Sequence, residues 1–406
     1  MRRKMLGVLF VLSMLLTIML PIQAMAQDTI KLGFVDILSG NFKDIGDRYL
    51  EGVKFAVKEI NASGGLLGKK VELIIVDSEG KPDVAARKAT TLIQKEGVKF
   101  ITGGASSAVG AALEQLAEKM NIIAIGYGWA AANMTNEKCS KNFFRTCLNT
   151  DQQSYALASI MAKKGYKKIG ILVQDYSFGK EASEAFKRKL SKLSPSTQVV
   201  EVIHPTGTKD YAPYISQILS SNPDAVFTSN WGNDLRIFLK QARPMGMKQK
   251  VYGYFMNDEM MVQSFGNEDH LLIGDVGAEI YTLTIPTQKN KEFVAKFHKE
   301  MGFYPTWLRG KAYMSTMFWA EAVKKAGSAE VPAVIKAWEG LTYDGPAGKM
   351  TMRACDHQIL STAWTFEMVQ KNPFYKHAYI GPSTAVPVKD METPCGGEEK
   401  ACKMKN

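Results

Sequence analysis

Residues 30–77 read IKLGFVDILSGNFKDIGDRYLEGVKFAVKEINASGGLLGKKVELIIVD. The apolar run from Ile30 to Val35 reads as a strand that ends in a turn at Ser39-Gly40. The amphipathic stretch after it carries Ala56, Val57 and Ile60 on one face, at helical spacing. The loop Asn61-Ala-Ser-Gly-Gly-Leu-Leu-Gly breaks that helix, and a second strand from Val71 to Asp77 closes the unit. Strand, crossover helix and parallel strand form the repeating unit of an open α/β sheet.

The alternation continues outward. Strands are expected at 99–102, 121–125, 168–173, 198–203, 225–228 and 251–254. Helices are expected at 108–120, 151–164, 179–190, 211–220 and 234–242. This pattern predicts α/β architecture with doubly wound parallel sheets, and there are too many units for one compact sheet, so two lobes are expected. Later the order loosens. Long helices are expected at 289–301 and 311–325, another at 332–339, and short β segments at 349–353 and 363–370. Beyond Pro373 periodicity fades, and the tail is expected to wrap the surface.

The start of the chain bears on compartment. Arg2, Arg3 and Lys4 precede an apolar run from Met5 to Leu20, then Pro21 and Ala24-Met25-Ala26. This is the layout of a cleavable export signal over 1–26. Its removal would lower the formal charge from +11 to +8. The remaining Lys and Arg residues are interleaved with acids, as in Lys58-Glu59, and no basic cluster alternates with aromatics, so nucleic acid is not an expected partner.

Five cysteines, Cys139, Cys147, Cys355, Cys395 and Cys402, fall in a chain whose exported setting permits disulfides. Pairing inside the loops CSKNFFRTC (139–147) and CGGEEKAC (395–402) is the simplest scheme. Cys355 with Cys395 or Cys402 competes with it. No CxxC occurs and the histidines are dispersed, so no metal is expected. Phosphate-loop, dinucleotide, nucleophile-elbow and zinc-protease motifs are all absent, and no enzyme activity or cofactor is expected.

In open α/β sheets ligands sit beyond the carboxyl ends of strands, beside helix N-termini. Gly103-Gly-Ala-Ser106-Ser107 follows a strand and opens a helix. Its small residues admit a ligand to the backbone, and free N–H groups favour an anion. Ser106 or Ser107 also reads as a plain helix cap, and the two readings are compatible.

The 30–77 unit, the turn Asp175-Tyr-Ser-Phe-Gly-Lys and the helix end Lys240-Gln-Ala-Arg-Pro-Met-Gly resemble the leucine/isoleucine/valine-binding family of periplasmic solute-binding proteins. The resemblance implies two lobes crossed three times by the chain: 28–148 with 281–352, and 149–280 with 353–406 including the tail. It implies a monomer of the periplasm that binds a branched-chain or related amino acid, or a similar small carboxylate, by lobe closure and delivers it to the inner-membrane permease of an ATP-driven importer. A signalling receptor for a sensor kinase or chemoreceptor is the alternative.

For the site, the resemblance implies ligand contact at Ser106 and Ser107, and at Gly128 and Ala130, where alanine lacks the hydroxyl usual in the family. Trp129, with Tyr127, reads either as an aromatic wall or as core. Tyr176 and Trp231 match aromatics that close over the ligand from the second lobe. The family's acid for an α-amino group falls at Phe255 here, with Asp258 or Glu259 as substitutes if the loop shifts. An aromatic of the first lip falls at Ile45, with Phe42 nearby. If neither acid takes over that role, these departures make a carboxylate or amide ligand without an α-amine the alternative, flat and aromatic in one reading. The segment Arg353-Ala-Cys-Asp-His357-Gln is expected to support the third crossing.

Overall fold

The computed structural model describes residues 29–398 together with 402 and 404; the expected export signal lies outside them. Two sheets carry the fold. In the first, β1 (Ile30–Asp36), β2 (Val71–Asp77), β3 (Phe100–Gly103), β4 (Ile123–Gly126) and β5 (Phe143–Arg145) are all parallel, in the order β2-β1-β3-β4-β5. Between them run α1 (Lys43–Ala62), α2 (Pro82–Glu96) and α3 (Ser107–Met120). Register is fixed by apolar residues facing both layers, with Phe34 opposite Ile75 and Thr102.

The second sheet repeats this order. Its strands β6 (Lys168–Gln174), β7 (Gln198–His204), β8 (Ala225–Thr228), β9 (Lys250–Gly253) and β10 (Val276–Glu279) run β7-β6-β8-β9-β10, all parallel. The connecting helices are α4 (Thr150–Lys163), which enters this lobe, α5 (Ser177–Leu193), α6 (Ala212–Ser220), α7 (Gly232–Ala242) and the short α8 (Glu259–Gln263). In both sheets the strand order reverses beside the first strand, so each lobe has a crevice at the carboxyl ends of β1 and β3, or of β6 and β8.

The chain enters the second sheet after β5 and leaves it after β10. It then forms α9 (Gln288–Met301) and α10 (Trp307–Ala326), which packs along α1 of the first lobe, and α11 (Val331–Trp338). A small antiparallel sheet of β11 (Thr342–Gly345), β12 (Gly348–Met352) and β13 (Ile359–Ser361) leads back to the second sheet. There β14 (Ala363–Val369) adds antiparallel to β10, with β15 (Tyr379–Ile380) and β16 (Thr384–Val386) beside it and α12 (Val388–Met391) against α4. The second sheet is thus mixed at this edge. α2 and β10 escaped the sequence reading: α2 buries mainly alanine, with Val84 and Leu92, and β10 is the short run Val-Gly-Ala-Glu.

The segment at the third crossing is built into the first. Arg145, wholly buried, donates its backbone N–H to His357 O and its Nε to Gln358 Oε1 at 2.7 Å. Gln358 Nε2 in turn donates to Cys147 O, and His357 stacks on Phe144. Loop-internal disulfides do not form. The pairs are Cys139–Cys402 and Cys355–Cys395, with Cα separations of 5.8 and 6.2 Å. Cys147 is unpaired because β5 carries it into the core at the first crossing, while Cys139 lies in a surface turn that the tail reaches. No helix among the described residues is long and apolar enough to cross a membrane.

Candidate functional site: an amide corner and an arc of rings

The first lobe contributes a corner of backbone amides. Asp36, buried at the end of β1, accepts hydrogen bonds from the N–H groups of Gly104 and Ala105 and so shapes the loop after β3. Burial pushes its carboxyl up to about 6, against the pull of these backbone bonds. Ser106 caps α3, its Oγ accepting from Val109 N at 3.4 Å. Ser107 Oγ accepts from Ala131 N at 3.3 Å, which ties the start of α3 to the loop after β4.

That second loop is held by its carbonyls. Arg145 Nη1 donates to Trp129 O and Ala131 O, and Thr150 donates to Ala130 O through both N–H and hydroxyl. The N–H groups of Ser107, Gly128 and Ala130 find no acceptor among the described residues. Gly128 is required here, because a Cβ would stand 2.7 Å from Gly104 O and strike the Tyr49 hydroxyl. Ser106, Ser107, Gly128 and Ala130 are therefore brought together, all partly exposed. A preorganised corner of unpaired donors at a helix start can hold a carboxylate.

The aromatic wall read for Trp129 and Tyr127 does not form. Both rings are fully buried. Trp129 lies against Gly103, Gly110 and Gly126, where a Cβ on Gly103 or Gly126 would come within 2.7 or 2.9 Å of it, and it stacks on Phe143. Tyr127 packs on Tyr49 at 4.7 Å. Glycines on two strands and a helix clear the volume that the indole fills, so Trp129 belongs to the core.

The second lobe supplies the aromatics. Trp231 Nε1 donates to the Tyr176 hydroxyl at 2.8 Å, which leaves that hydroxyl's own hydrogen for another acceptor. Burial pushes the Tyr176 phenol up to about 12, so it stays protonated. Phe178 lies 5.9 Å from Tyr176, Phe255 follows at 6.4 Å from Phe178, and Trp307 of the first lobe stands 5.8 Å from Phe255. At the other end Phe42, from the lip after β1, meets Trp231 at 5.7 Å. The rings form an arc that starts and ends on the first lobe and passes through the second.

Of these rings, sequence reasoning named Phe42, Tyr176, Trp231 and Phe255; Phe178 and Trp307 it did not. Phe178 was visible in the same turn as Tyr176. Trp307 opens α10, and nothing local marks which lobe a helix-start tryptophan meets. Its indole N–H is buried without an acceptor among the described residues, and both side-chain amide atoms of Asn257, two residues after Phe255, are buried without a hydrogen-bond partner there.

Neither acid near Phe255 is free. Asp258 caps α8, accepting from Met260 N and Met261 N. Glu259 accepts from Arg48 Nη1 at 2.7 Å and Arg309 Nη1 at 3.2 Å. Ile45 is partly buried against the core rather than part of the ring arc.

Residues 29–373 match the family model described as periplasmic binding protein. The chain is 25% identical to the Leu/Ile/Val-binding protein homolog 4 of Brucella abortus (strain 2308) over 399 residues, 94% of each chain. Among solved structures it is similar to the closed conformation of a leucine-, isoleucine-, valine-, threonine- and alanine-binding protein from Brucella ovis. The TM-score is 0.86 and identity 24%, covering 93% of this chain and 100% of that one. It is also similar to a solute-binding protein of an ABC transporter from Rhodopseudomonas palustris BisB5, in complex with 3,4-dihydroxybenzoic acid. There the TM-score is 0.76 and identity 26%, covering 88% of this chain and 96% of that one.

Proposed function

The chain belongs to the periplasmic binding protein family, and from that premise we propose that it captures a small carboxylate without an α-amine, of aromatic type, by lobe closure. The lobes are those outlined from the sequence, 28–148 with 281–352 and 149–280 with 353–406. The carboxylate sits on the amides of Ser107, Gly128 and Ala130. Tyr176 and Trp231 close over it, and Phe178, Phe255 and Trp307 flank the ring. The protein works in the periplasm as a monomer and hands its ligand unchanged to the permease of an ATP-driven importer.

The observation that carries the ligand class is the commitment of both nearby acids. A ligand ammonium buried beside Phe255 without a carboxylate would cost about 3–5 kcal/mol, several hundredfold or more in affinity. The arc of rings favours a flat apolar body, while the free donors at Tyr176 and Trp307 favour acceptors on it. The dihydroxybenzoate-bound relative supports the same class, and the Leu/Ile/Val-type relatives support an amino acid as the second reading.

A thermal-shift panel separates the two. It pairs leucine, isoleucine and valine with the same skeletons lacking the amine, and adds benzoate and 3,4-dihydroxybenzoate. The expected result is stabilisation by the aromatic carboxylates and none by the amino acids at equal concentration. Stabilisation by leucine at low micromolar levels would overturn the amine-free assignment.

A further inference from the structure

Glu259 is only 8% exposed, and both of its cationic partners lie on the other lobe. It begins α8, beyond the carboxyl end of β9. Its Oε2 takes Arg48 from α1 at 2.7 Å and Arg309 from α10 at 3.2 Å. Its Oε1 accepts from the Tyr375 hydroxyl and from Gln263 Nε2, each at 3.3 Å. Arg309 is fixed on the first lobe independently. Its Nε donates to Glu51 at 2.6 Å, its Nη1 to Thr306 Oγ1 at 2.8 Å, and its guanidinium lies over the Phe303 ring. Tyr304, on the first lobe, packs against Phe374 and Tyr375 beside the same contact.

We infer that Glu259 is a positioning residue for lobe closure: a latch whose two arginine partners wait on the opposite lobe. A buried carboxylate needs cationic partners, and these two reach it only while the lobes meet. When the lobes part, Glu259 loses both arginines, whereas Arg309 keeps Glu51. The contact thus favours the closed form specifically. It also brings the 254–258 loop against α10, which sets Phe255 on Trp307. The same bonds withhold the carboxylate from a ligand ammonium, so one residue serves closure and selectivity. The inference rests on closure as proposed above.

Glu259→Gln removes the charge and keeps the size and a hydrogen-bonding head for Tyr375 and Gln263. Small-angle scattering of the ligand-free variant should give a larger radius of gyration than wild type, and Arg48→Gln should shift it the same way. In stopped-flow tryptophan fluorescence with 3,4-dihydroxybenzoate, dissociation should be about tenfold faster with association little changed. Glu259→Asp should restore part of the loss. Scattering curves that superpose with wild type, or an unchanged dissociation rate, would overturn the latch. A lowered melting temperature with both other readouts unchanged would assign Glu259 to folding and overturn it equally. If no carboxylate in the panel binds wild type, the proposed function falls, while the ligand-free scattering still decides the latch.

Discussion

Glu114 lies buried in α3 with Oε1 unpartnered among the described residues, and burial pushes its carboxyl up to about 8 despite the pull of Arg145. The folded chain therefore holds a proton there that the unfolded chain has released above its ordinary value of 4.5. Stability falls as pH rises from about 4.5 to about 8, and the full cost is present above that window. Glu114→Gln should leave stability at pH 5 nearly unchanged and raise it at pH 8.5 by about 1–3 kcal/mol, read as urea midpoints at both values. In the cleft, Trp231→Ala removes a ring and the donor to Tyr176. It should weaken ligand binding by about 2 kcal/mol, near thirtyfold, with the melting temperature of the free protein held. Calorimetric titration checks the first and a thermal melt the second. The placement of Tyr176 and Trp231 in turns at the starts of α5 and α7 was legible because each turn follows a strand and has its own signature. Trp129 was not: its neighbours in sequence are those of a cleft residue, and only glycines brought from β3, α3 and β4 decide that it turns inward.

Most elements were legible as alternating apolar strands and amphipathic helices, because each of these must bury one face. β2 and β8 fall on their expected residues. Among the elements that escaped, α2 and β10 have weak apolar contrast, while β5 is only three residues long. The antiparallel return of β14 was hidden for a different reason: strand direction depends on where the chain re-enters a sheet, which local periodicity does not encode. α3 shows how elements build the site. Its start is fixed by Asp36 through the preceding loop, by the Ser106 cap and by the Ser107 link to Ala131, while Gly110 lets it close over Trp129. Trp129→Ala should therefore act on the packing of β3, β4 and α3 together. A loss of about 3–5 kcal/mol in chemical denaturation is expected. A loss under 1 kcal/mol would mean that the ring is not the filler of this layer.

For the whole molecule, the tail is the part least visible beforehand. It returns across the second lobe, where Ser159 and Lys163 of α4 bond to Asp390, and it ties to the first lobe through Cys139–Cys402. Sequence left the pairing of Cys355 open because connectivity follows from the fold, not from spacing. Removing the Cys355–Cys395 link by serine substitution at both positions should cost about 2–4 kcal/mol, measured as a lowered denaturation midpoint under oxidising conditions. Cys147 should resist thiol reagents until the chain unfolds, since it is wholly buried at the first crossing.

The two lobes, the amide corner and the ring arc converge on one claim, that an amine-free carboxylate is held between them. A crystal structure with the panel's most stabilising compound tests it most directly. The account predicts a carboxylate within about 3 Å of the N–H groups of Ser107 and Gly128, with its body between Tyr176, Trp231 and Trp307. A ligand seated elsewhere, or one whose ammonium displaces Arg48 from Glu259, would contradict it.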